Sequence, residues 1–218
     1  MKRSATRKLR TPRSRQREQE RKFKPLAVEI GWIAYEWNRL QEALAELFSD
    51  AMEAKTLIAF NVWHSVRSDL AQREMLKAAA TYREATAAPE AKPLWSAVLD
   101  LIHETDKISH KRNDALHVPL VFVNDLRADN IEIETLGFFG NPKARKLATK
   151  ELIKEFNWYR NSAATLAQYA QILHFAFNAS EHFPLPPKPV LPTLGQRVSL
   201  KRWPRQKKPK SSPPPPQQ

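Results

Sequence analysis

The sequence predicts an all-α fold: an up-and-down helical bundle of about four long helices with a small β-hairpin inserted before the last. Two observations predict it. Apolar residues recur at steps of three and four over long stretches, which is the period of a helix with one buried face. That period gives way only once, between about residues 120 and 135, to a short segment that alternates with period two.

The first helix is expected over residues 28–54. Ile33, Trp37, Leu40, Leu44, Leu47, Phe48 and Ala51 form its apolar face, and Glu36, Arg39, Glu42 and Glu46 lie opposite, toward solvent. A second helix is expected over residues 56–85, with Phe60, Trp63, Val66, Leu70, Met75 and Leu76 inward. The stretch Ala87-Ala88-Pro89-Glu90-Ala91-Lys92-Pro93 interrupts it, because proline removes a helical hydrogen bond and clashes with the preceding turn. The third helix, residues 94–114, turns Trp95, Val98, Leu99, Ile102 and Ile108 inward. Pro119 disfavours helical geometry at Val118, so this helix should stop near His117.

Leu120-Val121-Phe122-Val123 and Ile131-Glu132-Ile133-Glu134-Thr135 read as the two strands of a hairpin, with turn-forming residues between them. Gly137 and Gly140-Asn141-Pro142 end it. The last helix carries Leu152, Phe156, Tyr159, Ala163, Leu166, Ala170, Leu173 and Phe177 in an unbroken rhythm. At 1.5 Å per residue, thirty residues extend about 45 Å, so long neighbours are required, and the first two helices have the length.

The chain has 218 residues and a net charge of +13, but the charge is not spread evenly. Residues 1–24 hold eleven Lys or Arg against two Glu, and residues 183–218 hold eight against none, so the ends carry +17 and residues 25–182 carry −4. The division expected is a disordered basic N-terminal tail (1–25), a helical body (26–182) and a disordered, Pro-rich basic tail (183–218). Such tails attract polyanions through counterion release, without sequence information, or they simply solubilise. Cysteine is absent, which removes disulfides and thiolate metal sites. No apolar run approaches the roughly 18 residues of a membrane span and no signal peptide is evident, so a cytoplasmic protein with no membrane partner is expected.

Four glycines leave no room for a Gly-rich phosphate loop. His103 and His110 stand two helical turns apart, without the further ligands a metal needs, so no metal and no cofactor is expected. Trp63-His64-Ser65-Val66-Arg67-Ser68-Asp69 mixes polar and aromatic groups in mid-helix, for which hydrogen bonds between helices are an adequate reason; His64 is a supporting candidate only.

The segment Ser109-His110-Lys111-Arg112-Asn113-Asp114-Ala115-Leu116-His117 gathers a guanidinium, a carboxamide, a carboxylate and an imidazole at one helix end. The plain alternative is a solvated last turn whose positive side chains complement the helix dipole. Arg112 followed by the polar Asn113 and, after three more residues, His117 resembles the signature of the HEPN superfamily. Its members are helical bundles, usually dimeric; many are metal-independent ribonucleases, and others serve as binding or scaffold modules.

The resemblance covers residues 26–182 and implies RNA cleavage by attack of the 2′-hydroxyl on the adjacent phosphate. It implies His117 as general acid or base, Arg112 as phosphate clamp and Asn113 as orienting group, with Asp114 and Lys111 as further support. Arg112 and His117 are five residues apart, about 140° around a helix, so a homodimer in which two motifs meet is expected. RNA and an antitoxin or other regulatory protein are the partners implied. The alternative is a non-catalytic helical dimer that binds nucleic acid, or acts as a scaffold, through its tails.

Overall fold

The computed structural model describes residues 11–125, 130–135, 142–148, 150–179 and 184–194. The chain is mostly helical, with one two-stranded antiparallel hairpin. In order come α1 (Pro12–Met52), α2 (Thr56–Ser65), α3 (Asp69–Thr86), α4 (Lys92–His117), β1 (Leu120–Asp125), β2 (Asn130–Thr135), α5 (Pro142–Leu147) and α6 (Leu152–Asn178).

Helix α1 begins well before the expected boundary. Thr11 caps it by accepting a hydrogen bond from the Ser14 amide, and Pro12 takes the first helical position, where its missing N–H costs nothing. Residues 12–25 are therefore helical, a correction to the expected tail, and Pro25 lies inside the helix. What holds this extension is the hairpin. Phe23 meets Phe122 edge to face at 6.1 Å, and the Lys22 ammonium donates to the Ile131 carbonyl of β2. Residues 1–10 lie outside the described residues.

The expected second helix is two helices. Residues 66–68 break it, and Ser68 caps α3 by accepting from the Ala71 amide at 3.4 Å. Gln72 closes the gap: its side-chain amide donates to the carbonyls of Trp63 and Val66 at 3.0 and 3.1 Å. The break turns the inward face, so that Trp63 and Leu76 are buried as expected while Leu70 stands 57% exposed. Glu36, expected in solvent, is buried and paired with Arg39 at 2.6 Å.

Helix α6 packs chiefly on α1, the first of the two neighbours expected for it, and on α4 in place of the second, while α3 packs on α4 and α1. The main core joins Leu40, Leu44, Leu47, Phe48, Trp63, Leu76, Val98, Ile102, Leu166 and Leu173. A smaller cluster of Leu26, Ile33, Val118, Leu147 and Phe156 lies where the hairpin and α5 cover the N-terminal halves of α1 and α6. In the hairpin Leu120 pairs with Thr135 and Phe122 with Ile133; residues 126–129, and the Gly137 and Gly140 read as its end, lie outside the described residues. Helix α4 stops at His117 because Val118 is extended ahead of Pro119.

The first part of the expected C-terminal tail, too, is placed on the body. Residues 184–194 have no regular structure, yet they lie against the body: Trp158 donates its indole N–H to the Pro192 carbonyl at 2.6 Å, Lys188 pairs with Asp100 at 3.2 Å, and Leu191 packs on the core. Residues 195–218 lie outside the described residues.

Candidate functional site

Helix α4 presents Asp106, Ser109, His110 and Asn113 at steps of three, one and three, so they share one face. That face borders a cleft of about 480 Å³ between the C-terminal half of α4 and the N-terminal end of α3, with Trp37 of α1 as its floor. The other walls come from Asp69, Leu70 and Arg73 of α3, from its cap Ser68 and from Arg112.

Two arginine–aspartate pairs cross the cleft from helix to helix. Arg73 of α3, its side chain 3% exposed, donates from Nε to Asp106 of α4 at 2.7 Å. Arg112 of α4 pairs with Asp69 of α3, and the same Asp69 oxygen accepts the Trp37 indole N–H at 2.9 Å. The Arg112 guanidinium lies over the Trp37 ring at 4.5 Å and that of Arg73 at 5.8 Å, both within cation–π range. In each guanidinium one nitrogen, Arg73 Nη1 and Arg112 Nε, is buried without a hydrogen-bond partner. Burial lowers the pKa of Arg112, and the neighbouring Asp69 opposes that shift. The guanidinium nonetheless stays charged, since arginine does not deprotonate in proteins.

Of the residues expected at the site, Arg112 and Asn113 line the cleft. His117 does not; it is exposed in the last turn of α4, four residues and about 6 Å beyond Asn113 along the axis. Lys111 is half-buried and does not line the cleft. Asp114 is buried on another side of α4, 3.6 Å from Lys146 of α5. His64 stands exposed on α2, 3.6 Å from Glu42 and near the Phe60 ring. Within one protomer the guanidinium and the expected imidazole are therefore not brought together.

Sequence reasoning read Trp37 as core alone and did not assign Asp69, Arg73, Asp106 or His110 to a site. The signal available was the stretch ending in Ser68 and Asp69, whose polarity in mid-helix marks the wall of a cleft. A second cavity of about 650 Å³ between the ends of α1, α3 and α6 includes Asp50, Arg83, Trp95 and Phe177. Its charged groups are already paired, Asp50 with His174 of α6 at 2.7 Å and Arg83 with Glu53 at 2.7 Å. Among the described residues no group of three or more His, Asp or Glu is placed to hold a metal ion, and no helix is long and apolar enough to cross a membrane. No family model, curated protein or solved structure matches the chain.

Proposed function

We propose that the chain is a HEPN-like, metal-independent endoribonuclease of toxin or defence type, with an up-and-down bundle as its scaffold and the α3–α4 cleft as its active site. One observation carries the reading: Arg112 and Asn113, the first two residues of the motif, line one open cleft. A cleft of about 480 Å³ falls in the range that holds a nucleotide-sized ligand. In the reaction the 2′-hydroxyl oxygen attacks the adjacent phosphorus, the bond to the 5′-oxygen breaks, and a 2′,3′-cyclic phosphate remains. The guanidinium of Arg112 holds the phosphate oxygens as their charge grows, and Asn113 orients the scissile group. The resemblance gives proton transfer to His117, which a second protomer would bring to the cleft in a two-fold dimer. The reading further includes a cytoplasmic location and an antitoxin or regulatory protein that holds the activity in check.

The test is incubation of the full chain with RNA in EDTA. Cleavage with cyclic-phosphate ends is expected, and Arg112→Ala should lower the rate about 10²–10³-fold with helical circular dichroism unchanged. Intact RNA after prolonged incubation counts against the reading.

The Asp69 carboxylate, already seated on Arg112, favours a second reading, a non-catalytic helical dimer that binds nucleic acid or scaffolds through its basic ends. In that case RNA stays intact, and binding falls steeply with salt in proportion to the phosphates contacted.

A further inference from the structure

We infer that His110, not His117, is the imidazole that works with Arg112, and that Asp69 is its proton-transfer partner, so that the cleft of one protomer holds every group the reaction needs. The inference rests on the ribonuclease reading and names the residues that would perform it.

Four observations converge. His110 lines the same cleft as Arg112 and Asn113, whereas His117 does not. His110 is also exposed, on the α4 face that carries Asp106 and Asn113, so its ring can exchange a proton with solvent after each turnover. From His110 to His117 is seven residues, about 10 Å along the axis, too far for the two rings to serve one phosphate interchangeably. Finally, the cleft supplies a carboxylate as well as an imidazole. Asp69 Oδ2 accepts both Trp37 and Arg112, a fixed position beside the phosphate clamp, and the Asp69 side chain remains 40% exposed.

The proton balance closes with these two groups. Asp69 takes the proton of the attacking 2′-hydroxyl as the new bond to phosphorus forms. Protonated His110 gives its proton to the departing 5′-oxygen as the old bond breaks, leaving the cyclic phosphate and a free 5′-hydroxyl. Solvent exchange then returns both side chains to their starting states. Arg112, freed from Asp69 as that carboxylate gains a proton, keeps its charge on the phosphate oxygens throughout.

The experiment compares RNA cleavage in EDTA by the full chain and by His110→Gln, Asp69→Asn and, as a control on the same helix outside the cleft, His103→Gln. His110→Gln and Asp69→Asn should each lose about 10²–10⁴-fold, the usual worth of a positioned acid or base, while His103→Gln stays within threefold of wild type. His110 is exposed, so its substitution leaves the core alone even if Asp69→Asn proves unstable. Retention of full activity in His110→Gln overturns the inference.

A second measurement does not depend on turnover: imidazole proton resonances are followed as 3′-uridine monophosphate is added. The His110 ring should shift and the His117 ring should not. A His110 shift with no cleavage by the wild-type chain sinks the ribonuclease reading and leaves His110 in a nucleotide site. An unmoved His110 ring sinks the inference itself.

Discussion

Arg73 holds its charge almost wholly out of water, and Asp106 is the carboxylate that answers it. Removing one partner of a buried pair strands the other, whereas removing both is often harmless. Asp106→Ala should therefore destabilise the protein by about 3 kcal/mol, the lower end of the range because Asp106 is partly exposed, and adding Arg73→Met should recover most of the loss. Chemical denaturation of the two variants checks this. Glu46 offers a pH-dependent counterpart. Burial raises its pKa above 4.5; His174 opposes the shift, and Asp50 and Glu42 reinforce it. The folded state thus holds this proton more tightly than the unfolded chain, a contribution fully present below 4.5 and lost as pH rises through the raised value. Glu46→Gln stays neutral at every pH, so it should be more stable than wild type at pH 7, with the difference closing toward pH 4; urea midpoints at both values test it. Which residues were legible divides along the same line. Arg112 and Asn113 could be found because their signal is local, a motif within one helix. Asp69 and Trp37 could not, because the hydrogen bond between them spans 32 residues and the one from Arg112 to Asp69 spans 43.

The helices themselves were read with more success than their ends. Residues Leu152 to Phe177 kept their period and form α6, and α4 stops where Pro119 requires. The break between α2 and α3 was missed because Trp63, Val66 and Leu70 continue a three-and-four spacing straight through it. What decides it is capping chemistry in place of hydrophobic period: Ser68 serves α3 better as a cap than as one more interior residue. Ser68→Ala should cost about 0.5–1 kcal/mol, read as a lowered melting temperature, since the capping bond at 3.4 Å is long. The start of α1 was missed for the opposite reason. Its first turns are polar and basic, which reads as a tail, and Lys22 and Phe23 at their end meet a hairpin that lies more than 90 residues away in sequence, at Ile131 and Phe122. A chain cut before Leu26 should melt at a lower temperature than the full chain and lose amide-exchange protection in β1 and β2.

For the molecule as a whole, charge and architecture point to different tasks. The −4 body holds the cleft, while the +17 at the ends supplies long-range attraction for a polyanion. On the proposed reading, association with RNA should therefore weaken steeply between 50 and 200 mM salt, roughly tenfold or more for each few phosphates neutralised. The dimer expectation is separable from this. Equilibrium sedimentation at micromolar concentration should give twice the 25.1 kDa chain mass, and a single-chain mass removes the two-fold arrangement while leaving a one-protomer cleft intact.

Gln72 links these scales. Its side-chain amide serves two backbone oxygens where one helix ends and the next begins, three residues after the aspartate that faces Arg112. Exchange of that amide for an apolar group of similar length would take the Gln72 bond from the Val66 carbonyl, leave the Trp63 carbonyl with the Val66 amide alone, and loosen the seam. The first group to feel it would be the carboxylate at the cleft wall, although Gln72 itself does not line the cleft. A mutation with no ligand contact would then alter how the cleft receives an anion, and the joint between α2 and α3 is where such remote control of the site would begin.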